Sequence, residues 1–125
     1  DMISQESEIL NPAPFMRPWG DDQALGNIYE MRIYTMKPGS IPEVIKRWGE
    51  AISIREKFSP LAACWYTEFG GLNKWIHVWP YQSLAEREKI RAEAMKDPNW
   101  PPPTRQWVLK QENKIMVPAD FSPVR

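Results

Sequence analysis

Ile28-Tyr29-Glu30-Met31-Arg32-Ile33-Tyr34-Thr35-Met36, followed at once by Lys37-Pro38-Gly39-Ser40-Ile41-Pro42-Glu43, is the stretch from which the architecture can be read. Tyr29, Met31 and Ile33 alternate with Glu30, Arg32 and Tyr34, the two-residue period of a strand with two different faces. Pro38 and Gly39 end it. Ser40 and Glu43 have the spacing of a capping box, and Pro42 falls in a first turn, where its missing N–H leaves no bond unmade. Ile41, Val44, Ile45, Trp48 and Ile52 then recur at helical spacing, which predicts an amphipathic helix to about Phe58.

Downstream, Leu61 to Phe69 and Asn73 to Tyr81 read as strands joined by Gly70-Gly71, a pair that tolerates positive φ and so permits a tight antiparallel hairpin. Ser83-Leu84-Ala85-Glu86 repeats the capping-box spacing and opens a second helix, predicted to reach about Lys96 before Asp97-Pro98 stops it. Trp100-Pro101-Pro102-Pro103 is an extended crossing, and Val108 to Val117 is the last strand. The order β-α-β-β-α-β predicts an α+β, ferredoxin-like unit: a four-stranded antiparallel sheet with both helices on one face and the other face bare.

Upstream, Gln5-Glu6-Ser7-Glu8-Ile9-Leu10-Asn11-Pro12-Ala13-Pro14-Phe15-Met16 aligns without a gap with Gln111-Glu112-Asn113-Lys114-Ile115-Met116-Val117-Pro118-Ala119-Asp120-Phe121-Ser122. Self-similarity one domain-length apart suggests a tandem. Residues 1–18 are therefore expected to be the tail of a preceding repeat, 19–26 a linker, and 27–125 one complete unit. The first residue, Asp1, fits a processed product or a fragment.

Sixteen basic and sixteen acidic residues cancel, so the positive field that drives nucleic-acid binding is missing. A single cysteine, Cys64, allows no intrachain disulfide, and no apolar run approaches the ~20 residues that cross a bilayer. The expectation is a soluble domain in a reducing compartment without a transmembrane segment. Seven tryptophans in a chain of this length point to an aromatic interface or pocket in addition to a core.

With Met31, Ile33, Trp65, Phe69, Ile76 and Val78 assigned to the helices, strand alternation places Glu30, Arg32, Tyr34, Tyr66, Glu68, Trp75, His77 and Trp79 on the bare face. These eight are the pocket or interface candidates. Covering so many aromatics is favourable, and a second copy of the same sheet is the economical cover, giving a homodimer, or an intramolecular pseudo-dimer, with a barrel-like interior. His77, the only histidine, has the chemistry of a general base or haem-type ligand, or it is a hydrogen-bonded histidine that orients its neighbours. Glu30 and Arg32 either orient a small ligand or form a matched charge pair. Cys64 reads as packing. One histidine and one cysteine without ligand spacing give no metal site, and nothing calls for a cofactor. Trp48 is core by spacing, Trp100 is expected to fold back onto the second helix, and Glu86, Arg87, Glu88, Lys89 and Arg91 read as a solvated, ion-paired face.

Residues 28–39, Trp65-Tyr66-Thr67-Glu68-Phe69-Gly70-Gly71-Leu72-Asn73, His77-Val78-Trp79-Pro80-Tyr81, Leu84-Ala85-Glu86-Arg87, Asp97-Pro98-Asn99-Trp100-Pro101 and Gln111-Glu112 through Pro118 together resemble the NIPSNAP family over residues 28–123. The resemblance implies a dimeric α+β barrel and, for eukaryotic members, a mitochondrial setting with roles in protein interaction and mitophagy. The triple proline and the Pro118–Pro123 ending look more like bacterial members, for which a cytoplasmic setting is implied. It supplies no family catalytic set. Two functional readings follow: a non-catalytic dimeric module that recruits protein partners or holds a small ligand, and, by fold analogy alone, a cofactor-independent monooxygenase or haem-degrading enzyme that uses His77 in the barrel interior.

Overall fold

The computed structural model describes residues 10–17, 25–69 and 72–117. Residues 1–9 and 118–122 of the repeat, most of the linker and the Gly70-Gly71 turn lie outside the described residues. The chain runs β1 (Asn11–Pro12), β2 (Ile28–Met36), α1 (Ile41–Glu56), β3 (Ala63–Phe69), β4 (Leu72–Tyr81), α2 (Leu84–Ala94), a 3-10 turn (Arg105–Trp107) and β5 (Val108–Met116). The predicted β-α-β-β-α-β order is β2 through β5. The sheet order is β1-β3-β4-β2-β5, every neighbouring pair antiparallel. The sheet thus has five strands, not four, because Asn11 and Pro12 pair with Tyr66 and Trp65 along the outer edge of β3.

Local chemistry explains the boundaries. After β2, Ser40 N–H donates to the Lys37 carbonyl at 3.1 Å across Pro38-Gly39, and Gly39 takes φ +82°, which favours glycine at the third position of such a turn. The expected capping box at α1 does not form: Ser40 Oγ donates to the Lys37 carbonyl at 2.7 Å instead of accepting from the helix. At α2 it does. Ser83 Oγ accepts from Glu86 N–H at 3.1 Å, while Glu86 Oε1 accepts from Gln82 N–H at 2.6 Å.

Register settles which side chains share a face. Glu30 lies opposite Trp79, Arg32 opposite His77 and Tyr34 opposite Trp75 on β4, and Cys64 and Tyr66 of β3 lie opposite His77 and Trp75. Trp48 of α1 contacts the rings of Trp75, His77 and Trp79 at 5.5, 4.6 and 6.5 Å between centroids. This face is therefore the one beneath the helices, the reverse of the sequence expectation. Glu30, Arg32, Tyr34, Tyr66, Trp75, His77 and Trp79 belong to the helix–sheet layer. Glu68 shares their parity by register with Asn73, although its side chain lies outside the described ones. The interior of a two-sheet barrel, in which His77 was to act, is thus not where these residues sit.

The opposite face carries Tyr29, Met31, Ile33 and Thr35 of β2, Ala63 and Trp65 of β3, and Ile76 and Val78 of β4. Tyr29, Ala62, Ala63 and Val78 are buried there, with Met16, Leu25, Met31, Trp65 and Met116 packed against them. The chain's own N-terminal segment thus covers part of that face. Met31, Ile33, Trp65 and Ile76 are half-buried.

Candidate functional site

The main core joins Met36, Ile41, Val44, Trp48, Ile52, Leu61, Cys64, Trp75, Trp79 and Tyr81 between α1 and the sheet. Burial raises the Cys64 thiol well above its ordinary range, so it packs as a small apolar group. Beside this core opens a cleft of about 600 Å³, lined at depth by Arg32, Tyr34, Trp48, Arg55, His77 and Trp79. Trp100 walls it, folding against Trp48 at 5.5 Å and Trp79 at 6.3 Å. The Trp100–Pro101 peptide is cis. At the β5 edge, register slips between Thr35 and Met36, leaving Leu109 as the extra residue of a bulge at the cleft rim.

Glu30 is the electrostatic centre. It is fully buried, and it accepts from Arg87 at 3.1 and 2.9 Å and from Arg32 at 3.3 Å, with Arg91 at 4.0 Å. Burial alone would raise its pKa, but the hydrogen bonds from Arg87 and the charges of Arg32, Arg87 and Arg91 outweigh it and hold the carboxyl below its ordinary value. Arg87 and Arg91 are thus not simply a solvated face: α2 fully buries only Ala94, rests Ile90 against the main core, and reaches Glu30 on the sheet through its arginines.

Arg55, absent from the sequence candidates, is 3% exposed. It donates to Ser59 Oγ at 2.8 Å and to the Tyr81 hydroxyl at 2.7 Å, and its guanidinium lies 4.3 Å from the Trp79 ring centroid. Burial lowers its pKa, partly offset by Tyr81. Its signal was in the sequence: Ile41, Val44, Trp48, Ala51 and Ile52 form the buried stripe of α1, and Arg55, seven residues beyond Trp48, continues it. An arginine on an apolar stripe is informative.

His77 is buried, and its Nδ1 accepts from Trp79 Nε1 at 2.7 Å. Burial, and then the charges of Arg32, Arg55 and Arg91, push its pKa well below the ordinary value of 6.5. The ring is therefore neutral near pH 7, with its proton on Nε2, because Nδ1 is used as an acceptor. Neither that N–H nor Trp48 Nε1–H has an acceptor among the described residues. Tyr34 accepts from Arg32 at 3.1 and 3.2 Å. Tyr66 and Trp75 stack at 6.4 Å away from the cleft, with Phe15 against Trp75. Of the eight predicted residues, Arg32, Tyr34, His77 and Trp79 line the cleft, and Glu30 supports it from behind. Among the described residues no cluster of three metal-ligating side chains occurs, and no helix is long and apolar enough to cross a membrane.

Fold and site together define a ferredoxin-like α+β domain with a cationic, aromatic cleft between sheet and helices. The NIPSNAP family model matches residues 29–123, and the chain belongs to the NIPSNAP family. A NipSnap homolog of Dictyostelium discoideum is 35% identical over 99 residues, 77% of this chain and 44% of that protein. NipSnap homolog 2 of Homo sapiens is 31% identical over 129 residues, 99% of this chain and 44% of that protein. The chain spans about half the length of the curated relatives it matches. Among solved structures, a NIPSNAP family protein of unknown function from Agrobacterium tumefaciens has 36% identity and a TM-score of 0.72, covering 82% of this chain and 97% of that one. An uncharacterized NIPSNAP domain protein from Burkholderia xenovorans has 30% identity and a TM-score of 0.69, covering 77% and 98%.

Proposed function

We propose that this NIPSNAP domain is a small-ligand-binding module whose site is the cleft between the sheet and the helices, and that its aliphatic sheet face pairs with a second copy. The observation that carries the first part is the cleft itself: about 600 Å³, within the range that holds a drug-sized molecule, with three indoles and several convergent polar groups. The pairing is supported by Met31, Ile33, Trp65 and Ile76, half-buried and contiguous on the face away from the helices, where an identical patch is self-complementary about a two-fold axis. Among the groups that line the cleft, Cys64 is not one, and His77 is neutral and hydrogen-bonded through Nδ1 to Trp79, so holding a ligand is better supported than nucleophilic chemistry.

Ligand entry is checked by titrating the full chain with a panel of small aromatic compounds while following Trp emission, since Trp48, Trp79 and Trp100 wall the cleft. At least one compound is expected to shift the emission saturably, and Gln111→Trp, which enlarges an exposed lining side chain, should weaken it tenfold or more. Silence across the panel, or binding indifferent to that substitution, would contradict the reading.

A further inference from the structure

We infer that the cleft takes a planar aromatic acid, its anionic group received by Arg55 and Arg32 at depth and its ring held by the walls of Trp48, Trp79 and Trp100. This rests on the reading of the cleft as a ligand site and adds the ligand's chemistry. Three observations converge on it.

The first is charge. Arg32, Arg55, Arg91, Arg105 and Lys110 line the cleft, and among the described residues no Asp or Glu does. Behind it, the buried carboxylate of Glu30 faces Arg32, Arg87 and Arg91, so it cannot neutralise them all. Arg55 lies outside that set of ion pairs; its hydrogen-bond partners are the hydroxyls of Ser59 and Tyr81. Glu30 acts on Arg55 only at a distance, and a buried guanidinium whose hydrogen bonds all go to neutral groups retains much of its cost of leaving water, which an anion in contact would offset. The planar fork of arginine matches a carboxylate in particular.

The second is hydrogen-bond polarity. His77 Nε2–H and Trp48 Nε1–H are buried donors without acceptors among the described residues, and both residues line the cleft. Both atoms lie just behind the cleft surface, with under 1 Å² accessible, and beside two buried arginines they leave the deep end rich in donors. A ligand group rich in acceptors suits such surroundings; an amine or an ammonium does not.

The third is shape. Trp48, Trp79 and Trp100 lie within 5.5–6.5 Å of one another by ring centroid, forming a continuous aromatic wall. At the rim, Met95 and Leu109 are each 59% exposed and line the opening. Apolar surface from wall to rim fits a ligand with an extended ring, and a small hydrated anion such as phosphate would leave it uncovered.

The test is calorimetric titration of the full chain with 2-naphthoate, the near-isosteric neutral 2-naphthamide, and inorganic phosphate. The expected order is 2-naphthoate at least tenfold tighter than the amide, with phosphate weaker than both. Arg55→Met should lower 2-naphthoate affinity tenfold or more while leaving the amide within about twofold. Arg55→Lys, which keeps the charge and loses the fork, should fall between. The acid-to-amide ratio on the unaltered chain needs no variant, so a misfolded Arg55→Met leaves the test intact. Equal affinity for acid and amide would overturn the acidic ligand and leave the cleft reading standing. Phosphate binding more tightly than 2-naphthoate would overturn the aromatic part. Binding of none of the three, with a neutral panel compound still bound in the cleft, overturns this inference alone; binding of nothing at all overturns both.

Discussion

Replacing Glu30 by Gln is expected to destabilise the protein by about 3–5 kcal/mol, the usual cost of removing one partner from a buried ion pair and leaving the other charges uncompensated. The substitution keeps the shape, so cavity formation contributes little. What remains is Arg32 and Arg87, and Arg91 at the edge, crowded without their common carboxylate. Against a typical stability of about 5–15 kcal/mol, this is a large fraction. Urea unfolding at pH 7 measures it. A second variant, Arg87→Met on the Glu30→Gln background, should recover part of the loss by removing one unpaired cation. A loss below about 1 kcal/mol for Glu30→Gln, or no recovery in the double variant, would mean the arginines are solvated and the cluster is not an integral part of the layer.

The second large effect concerns pH. His77 is the only histidine in the chain, and its folded pKa lies well below the 6.5 of the free side chain. Below 6.5 the unfolded chain takes up a proton that the folded chain refuses until its own lower pKa is reached. The unfolded state therefore binds more protons in that window, and stability, full above pH 6.5, falls as pH drops through it. The slope for one proton cannot exceed about 1.4 kcal/mol per pH unit. Unfolding midpoints at pH 7, 6, 5.5 and 5 give the slope, and His77→Gln should flatten it even though it lowers stability throughout. An unchanged midpoint across this range in the parent protein would show that His77 takes up its proton normally, as a solvated imidazole does. At lower pH Glu30 acts in the same sense. Its folded pKa lies below the ordinary 4.5, so its contribution is present above that value and lost as pH falls through the folded one.

The element order was legible because each boundary carries its own chemistry: Pro38-Gly39 after β2, Ser83 with Glu86 before α2, alternation along Ile28–Met36. Which face of the sheet met the helices was not legible. Both faces of β2 and β4 are rich in large side chains, and an aliphatic set of Met31, Ile33, Ile76 and Val78 looks more like core than a set containing Glu30, Arg32 and His77. That preference assumes that ionisable groups avoid the interior. Here they satisfy one another there, because Arg87 and Arg91 reach down from α2 to a carboxylate on the strand. The composition of α2 held the clue. Leu84 is 58% exposed and only Ala94 is buried, so that helix has no stripe with which to cover an aliphatic face. Arg55 on the apolar stripe of α1 was a second clue of the same kind. The grouping of Arg32, Tyr34, His77 and Trp79 survives the inversion, since alternation fixes which residues share a face before anything fixes what that face meets.

The α1 capping box failed for a different reason. Its spacing was correct, but the preceding turn offered Ser40 the Lys37 carbonyl, and the hydroxyl donates there instead. A spacing identifies a candidate cap, and the neighbouring turn decides where its hydroxyl goes.

The placement of the cleft within a single chain, with the aliphatic face left for pairing, can be tested in one titration. Ile33 and Ile76 are directly opposite each other on that face, and the full chain carrying Ile33→Lys and Ile76→Lys should sediment as a monomer where the parent sediments as a dimer. Titrated with 2-naphthoate, that variant is predicted to bind within about twofold of the parent. Loss of binding together with loss of the dimer would place the ligand between two copies and contradict the account.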